Sequence, residues 1–352
     1  MGLPEIHIEF EEKKTNFIHR LGRGMVAIAF VDAAYTTPKT VVCDDAAEVA
    51  TAVNDLPSEK KTVVEAEMVR ALNNGAAKVI AVCAKDVATV ESALSAQKFN
   101  YLAIGNLQPT DQTTVVTWAK ARGFMCGRHF IVIGNHGLAN TADEHVVALD
   151  AVNLKDSECT TAAIAGVFAG LSQQSGTYYV MNPNCDGTGF ATREQADSDV
   201  DKGIVTVFFD GEKAKISRAV TTYYATNPKS PLAKVRNVDT MNMIKDDIKE
   251  SFESDYVGKV PNSYANKMTL IGMINQVYLD GLKGDVLNPD YDNAVDIDVE
   301  AHKRLAKSEG ATVSEMSEMD LRRYDTGSVV YLAGTICFLD TMEDLTISFV
   351  IE

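Results

Sequence analysis

Residues 25–31 read MVAIAFV, a continuous apolar run with the length of a buried strand. Similar short apolar runs follow at residues 78–83 (KVIAVC), 101–104, 130–133 and 146–151. The segments between them have the composition of helices, most clearly at residues 58–72, 87–96, 111–122 and 157–173. Strands that alternate with helices of about ten to fifteen residues predict a mainly parallel sheet that is covered by helices.

The second half of the chain has a different pattern. Residues 182–202 are rich in turn formers, are predicted to be irregular, and place a domain boundary near residue 200. Asp210-Gly211 separates two strand-like runs at residues 203–209 and 214–223, which predicts a hairpin. Helices are predicted at residues 236–256 and 264–282, and a strand at residues 329–338. The predicted fold class is an α/β body with a mainly parallel sheet, followed by an α+β C-terminal domain.

Both ends of the chain alternate apolar and polar side chains, which is typical of half-buried strands. No tight hairpin partner adjoins either segment, so their ladder hydrogen bonds must come from elsewhere. Two destinations satisfy this requirement: the sheet of the same subunit, or strand addition to a neighbouring subunit. The apolar positions are Ile6, Ile8 and Phe10 at one end, and Leu345, Ile347, Phe349 and Ile351 at the other.

Composition restricts the possible partners. The net charge is −16 and the pI is near 4.8, so the average field repels a phosphate backbone and argues against general nucleic-acid binding. Six scattered cysteines without a CxxC pair fit a reducing compartment better than a disulfide framework. The first residues lack the layout of a signal peptide, and no apolar run approaches a membrane span. We therefore expect assembly in the cytoplasm, without membrane insertion and without direct contact to nucleic acid.

Motifs for chemistry are missing from the sequence. It contains no GxGxxG or GxxxxGK[ST] loop, no GxSxG elbow and no HExxH pair. The acidic loop around residues 290–301 resembles a calcium loop only loosely, because Val295 and Ala301 replace the Gly and Glu that such a loop needs. His129 and His136 are interpreted as structural or surface residues. We expect no catalytic residue, no cofactor and no metal.

A family resemblance rests on longer motifs in the second half. Residues 252–262 (FESDYVGKVPN), 326–336 (TGSVVYLAGTI) and 340–345 (DTMEDL) closely resemble the C-terminal domain of contractile phage tail sheath proteins. The opening GLPEI at residues 2–6 is similar to the small sheath proteins of defective-prophage particles and R-type bacteriocins of Gram-positive bacteria. The resemblance covers about residues 200–352 and the first dozen residues.

The resemblance implies a structural protein and no enzyme. Its expected partners are copies of itself in stacked rings, an inner tail tube protein, and baseplate and tail terminator proteins. Contraction of this helical homopolymer would drive the tube through a target cell envelope. The particle would be assembled in the bacterial host cytoplasm and released as the tail of a phage or bacteriocin.

The resemblance also implies a division of the chain. Residues 1–24 would be an N-terminal arm and linker, 25–200 an outer α/β domain, 201–340 the inner sheath domain, and 341–352 a C-terminal arm. The terminal arms would complete a sheet in the inner domain of a neighbouring subunit. Either the hairpin at residues 203–223 or the strand at 329–338 could receive them.

The inner domain is expected to hold the tube. Basic residues near the end of this otherwise acidic region could face an acidic tube, or could form a solvated face that aids solubility. They are His302, Lys303, Arg304, Lys307, Arg322 and Arg323.

Two other classes remain open from the sequence. One is a cytosolic α/β enzyme that acts on a small substrate. The other is the sheath of a cell-bound secretion machine, which would normally need two co-assembling sheath chains. The sequence does not distinguish a DNA-containing phage from a headless bacteriocin.

Overall fold

The computed structural model describes residues 22–126, 129–150, 159–171 and 190–350. The strands are β1 (Met25–Val31), β2 (Lys39–Cys43), β3 (Lys78–Ala84), β4 (Tyr101–Ala103), β5 (Ile131–Asn135), β6 (Val146–Asp150), β7 (Ile204–Phe209), β8 (Ala214–Ile216), β9 (Ala294–Ile297) and β10 (Leu332–Thr335).

The α-helices are α1 (Val49–Ala52), α2 (Ser58–Asn73), α3 (Val87–Ser95), α4 (Pro109–Cys126), α5 (Thr161–Leu171), α6 (Arg193–Asp201), α7 (Val235–Asp255), α8 (Tyr264–Gly272), α9 (Val299–Ser308) and α10 (Glu318–Arg322). Short 3₁₀ turns occupy His136–Thr141, Thr222–Ala225, Pro231–Ala233, Asp280–Leu282 and Val313–Glu315. A π-helical segment, Met273–Leu279, directly follows α8.

The described chain forms two compact units. The body unit contains residues 22–246 and 338–350, and the insert unit is Asp247–Cys337. The boundary falls inside α7, not near residue 200, because β7 and β8 extend the main sheet of the body unit. The predicted division at residues 25–200 and 201–340 therefore differs from the division into compact units. As an assignment of outer and inner parts of an assembly, it stays a prediction.

The main sheet of the body unit has eight strands in the order β2-β3-β1-β4-β5-β6-β7-β8. The central strands from β3 to β7 run parallel to one another. The outermost strands, β2 and β8, are each antiparallel to their single neighbour. The prediction of a mainly parallel, helix-covered sheet is confirmed.

Side chains alternate between the two faces of this sheet. In β1, Val26, Ile28 and Phe30 join a core that contains residues of α2 and α5. Ala27 and Ala29 point to the opposite core, which contains residues of α3 and α4. Both faces are thus buried, which explains why the strands read as unbroken apolar runs rather than as alternating ones.

Helices α2 and α5 approach each other very closely. A Cβ on Gly166 would lie 2.3 Å from the carbonyl oxygen of Ala71. One turn further along, a Cβ on Gly170 would lie 3.1 Å from the Cα of Gly75. The small residues of α5 therefore permit a backbone contact that larger residues would prevent.

The insert unit is built around the end of α7, α8 and a two-stranded antiparallel sheet of β9 and β10. The carboxylate of the fully buried Asp247 accepts a hydrogen bond of 2.7 Å from the hydroxyl group of Tyr278. This bond connects α7 to the π-helical segment. The helix predicted over residues 264–282 is present over that range, but its second half has π and 3₁₀ geometry instead of α-helical geometry.

Two further predictions of secondary structure need correction, and one strand was missed. Helix α4 continues past Gly123 to Cys126. Residues 193–201, expected to be irregular, form α6, whose start is stabilised by a reciprocal capping box between Thr192 and Gln195. Strand β2 was not predicted. Of the described cysteines, Cys43, Cys83 and Cys337 form no disulfide, whereas Cys159 is disulfide-bonded.

Among the helices that the structure describes, none is both long and apolar enough to cross a membrane.

Replacing Gly166 with Ala should destabilise the body unit. The new methyl group would overlap the Ala71 carbonyl, and we expect a loss of about 1–3 kcal/mol in the free energy of unfolding, measured by urea denaturation. Gly137→Ala is the matched control, because a Cβ at that position meets nothing within 4 Å. Equal stability of both variants would show that the helices separate at little cost.

Candidate functional site

The two edges of the β9–β10 sheet differ. On β9, the side chain of Asn275 closes the outward edge: its Nδ2 donates to the carbonyl of Val295 at 2.8 Å, and its Oδ1 accepts from the Val295 N–H at 2.9 Å. On β10, Ala333, Gly334 and Thr335 are exposed. Neither Leu332 nor Gly334 has an outward strand partner within the ranges that the structure describes. Strand β10 is therefore an open edge that can accept another strand.

The segment that follows Cys337 is bound to the body unit by three basic side chains. Arg236 donates to the carbonyl of Leu339. The ammonium of Lys234 lies 3.0 Å from Oδ2 of Asp340. Arg218 pairs with both Glu343 and Asp344. Residues 339–344 are thus fixed at several points.

Beyond these contacts the chain exposes apolar side chains. The exposed fraction is 83% for Leu345, 58% for Ile347 and 82% for Phe349. Residues 345–350 belong to no strand. Pairing with this subunit's own sheet is therefore not observed for this segment. Of the other predicted arm residues, Ile6, Ile8, Phe10 and Ile351 lie outside the described residues.

The predicted basic group does not form one uniform face. Arg322 forms a bidentate ion pair with Asp296 on β9, at 2.8 and 2.6 Å, and its side chain is only 17% exposed. This hydrogen-bonded pair lowers the pKa of Asp296 and raises that of Arg322. His302 is fully buried, with its Nδ1 2.8 Å from the carbonyl oxygen of Leu321. His302 is therefore not part of an accessible basic face, and the prediction that part of this basic set faces the tube stays a prediction.

The remaining basic residues are more accessible. On α9, Lys303 lies 3.5 Å from Glu300, and the guanidinium of Arg304 is 71% exposed and 3.9 Å from Asp298. Lys307 is exposed at the last turn of the same helix. Arg323 lies over the ring of Tyr264, 5.3 Å from its centroid.

One group of potential metal ligands occurs within the part of the chain that the structure describes. The ligand atoms of Asp143, Glu144 and His145 lie within 4.8 Å of one another. Asp143 is already paired with Lys120 at 3.0 Å, and the Nε2 of His145 lies 3.1 Å from the Oδ1 of Asn242. These bonds account for the placement of Asp143 and His145 without a metal.

His129 packs against His145, with ring centroids 5.1 Å apart. Burial, with a contribution from the positive charge of Lys245, lowers the pKa of His129 to about 4, so that this ring is neutral at physiological pH. The pair therefore packs as two aromatic rings, in agreement with the structural role expected for His129.

Comparisons with known proteins find similarity to tail sheath proteins. Residues 227–351 match the model of the phage tail sheath C-terminal domain. A curated tail sheath protein from Clostridium phage phiCD119 is 25% identical over 366 residues, with 98% of each chain covered.

Two crystal structures of sheath tail proteins have a similar fold. The protein from Desulfitobacterium hafniense has a TM-score of 0.61 and 13% identity, covering 84% of this chain and 94% of that one. The protein from Listeria innocua has a TM-score of 0.64 and 13% identity, covering 80% and 90%.

Residues 227–351 thus match the phage tail sheath C-terminal domain, and the chain is similar over nearly its whole length to a curated tail sheath protein. The resemblance to phage tail sheath proteins that was found in the sequence is confirmed.

Replacing Arg322 with Gln should destabilise the insert unit by about 1 kcal/mol at pH 7, because the pair with Asp296 is bidentate but partly exposed. The pKa of Asp296 is lowered in the folded state, so the contribution of the pair is fully present above the unfolded value of about 3.9 and is lost as the pH falls through the folded value. The stability difference from wild type should therefore shrink below about pH 4.

Urea denaturation between pH 3 and 7 provides the measurement. Arg323→Gln is the control, since Arg323 is exposed and its replacement should lower the free energy of unfolding by less. A stability difference for Arg322→Gln that grows in acid would contradict the assignment.

Proposed function

We propose that this protein is the subunit of a contractile sheath. Many copies stack in rings around an inner tube, and a change in their packing drives the tube through a target cell envelope. The observation that carries the proposal is the exposed apolar segment at residues 345–350 in a chain with the sheath C-terminal domain. Exposed apolar side chains do not stabilise an isolated protein, whereas a polymer can bury them between its subunits.

The C-terminal arm is proposed to add a strand to a neighbouring subunit. Each new backbone hydrogen bond contributes about 0.5–1.5 kcal/mol net, and each fully buried apolar side chain about 1.5–3 kcal/mol. Leu345, Ile347 and Phe349 supply three such side chains on one face of an extended segment. A joint of this strength can stay closed while the subunits rotate as rigid bodies.

Strand β10 is the favoured receiver for an arm. Its residues are largely exposed, and the opposite edge of its sheet is closed by Asn275. The edge strand of the hairpin, β8, is less suitable, because Ala214 and Ile216 are 3% and 0% exposed. The N-terminal arm, with Ile6, Ile8 and Phe10, is proposed to link subunits in the same manner.

The inner position around the tube is assigned to the C-terminal domain, residues 201–340, and the outer position to residues 25–200. The match of residues 227–351 to the sheath C-terminal domain supports this arrangement. Baseplate and terminator proteins are the further proposed partners. Assembly is proposed to occur in the host cytoplasm, before release of the particle.

The double variant Ile347→Asp, Phe349→Asp should remain folded but fail to polymerise. Both side chains are exposed in the isolated subunit, so circular dichroism and the thermal midpoint should be close to wild type. Negative-stain microscopy should show no rings or tubes, because a carboxylate cannot be buried in the neighbour at acceptable cost.

Val63→Asp is the matched control, since Val63 is 51% exposed on α2. Polymers of normal length from the double variant would refute strand addition by this arm. Collapse of its fold would instead place residues 345–350 in the subunit's own structure.

The exposed cations of α9 are proposed to face the tube. Reversing Lys303, Arg304 and Lys307 to Glu should leave sheath polymers intact but abolish co-purification of the tube, because an acidic tube surface would be repelled. Arg322 is left unchanged, since its ion pair with Asp296 serves the fold. The matched control reverses the same number of charges elsewhere in the insert unit: Lys249, Lys259 and Lys283.

Tube that co-purifies with the α9 variant would overturn this assignment. Loss of tube from both variants would show that net charge, and not the α9 face, controls the contact.

A further inference from the structure

The chain reaches its exposed apolar end through a short charged segment, residues 340–344 (DTMED), which belong to no strand. The only large apolar side chain in this segment, that of Met342, is fully exposed. The hydrophobic core of the body unit therefore does not hold these residues. Their three acidic side chains pair instead with Lys234 and Arg218.

These ion pairs are accessible to solvent. Asp340 and Asp344 are exposed, and the side chains of Lys234 and Arg218 are each 38% exposed. The carboxylate of Glu343 is more buried, but it lies 3.6 Å from Nε of Arg218, beyond hydrogen-bond distance. Exposed ion pairs contribute little to stability, and salt screens them. Contacts of this kind can open and close without unfolding the body unit.

The residue just before this segment is held differently. Arg236, on α7, is buried and donates a hydrogen bond to the backbone carbonyl of Leu339. Because the acceptor is neutral and the donor is buried, salt weakens this bond much less than it weakens an exposed ion pair. Leu339 is therefore a fixed point from which residues 340–344 extend.

The point at which the chain enters the body unit is also fixed by a buried contact. Arg23, just before β1, is buried, and its guanidinium pairs with Asp239 at 2.6 Å and with Asp246 at 3.4 Å. Asp239 follows Arg236 by three residues on α7, so the two lie on the same face of the helix. One turn of α7 thus carries a buried attachment for each end of the body unit, whereas residues 340–344 have exposed contacts.

We propose that residues 340–344 form a strap that detaches reversibly from the body unit while Leu339 stays bound. An extended residue spans at most about 3.3–3.6 Å, so a detached strap lets residue 345 move up to about 20 Å from Leu339. The use of this reach rests on the proposed function. An arm that stays paired with a neighbouring subunit can then follow that neighbour when the packing changes. At Arg23, in contrast, burial keeps the attachment closed.

Distances between two spin labels in the unassembled full-length protein test the release. The labels are attached through a ketone-bearing amino acid, which leaves the native cysteines unmodified, at the exposed positions 226 and 342. Pulsed electron paramagnetic resonance should give one narrow distance distribution at about 0.01 M salt. The distribution should be about twofold broader at about 1 M salt, where charges are screened within a few ångströms. Return to low salt should restore the narrow distribution.

A second label pair, at positions 22 and 226, is the matched control. Position 22 precedes Arg23, and a Cβ added there meets nothing within 4 Å. Its distance distribution should be the same at both salt concentrations, because burial protects the attachment of Arg23. Broadening of both label pairs would show that salt loosens the whole body unit, and it would overturn the proposal.

Charge variants separate the ion pairs from other effects of salt. The triple variant Asp340→Asn, Glu343→Gln, Asp344→Asn should show the broad distribution even at low salt. Its circular dichroism should match that of wild type, because the strap contributes no strand or helix. The control variant replaces three exposed aspartates elsewhere with Asn and should keep the narrow distribution. These are Asp44, Asp290 and Asp292.

Exchange of one charge pair gives a second test. Lys234→Glu should broaden the distribution at low salt, because it places a carboxylate beside Asp340. Adding Asp340→Lys to this variant should restore the narrow distribution. A narrow distribution in the triple variant, or in wild type at about 1 M salt, would overturn the proposal. So would a broad distribution in wild type at low salt.

The same labels at positions 226 and 342 in assembled sheath test the use of the strap. Assembly starts from subunits with a bound strap, so we expect a narrow distribution before contraction and a broader one after it. The same narrow distribution in both packings would overturn the proposal. Salt-dependent release in the unassembled protein together with a failure to polymerise would support the release and count against the proposed function alone.

Discussion

Strand backbones need hydrogen-bond partners, and the two sheets of the molecule meet this requirement to different extents. In the body unit, eight strands pair in one continuous order, and the outermost strands are short or antiparallel. In the insert unit, β9 and β10 pair only with each other among the residues that the structure describes, and a side chain, Asn275, closes one of the two edges. A two-stranded sheet of this kind has little stability alone. The open edge of β10 lacks a strand partner among the described residues, and the exposed residues 345–350 belong to no strand.

The sequence predicted the main sheet well because its strands are buried on both faces. Each appears as a short apolar run whose neighbours along the chain are helices. The elements that were missed have weaker signals. In β2, Lys39, Thr40 and Val42 are exposed, so no continuous run marks the strand. Helix α6 is polar, and its one local signal was the Thr192-x-x-Gln195 capping box.

The candidate surfaces were predictable only where they depend on local pattern. Alternation alone singled out Leu345, Ile347 and Phe349, and the structure exposes all three. Contacts between distant residues gave no such signal. The pairing of Arg322 with Asp296 removes Arg322 from the free cations, and the bond from Lys267 to Thr326 spans 59 positions. Such contacts follow from the tertiary fold and from no spacing in the sequence.

The interruption of the body unit by the insert unit has a consequence for the order in which the protein can fold. A ribosome adds about 5–20 residues per second, so several seconds separate the synthesis of Asp246 from that of Phe338. During that interval the main sheet can already form, while Arg218, Lys234 and Arg236 still await residues 339–344. The apolar residues 345–350 emerge after both units. Both units can therefore form before the chain carries residues 345–350, one of the two segments through which subunits are proposed to join, which delays association through that segment.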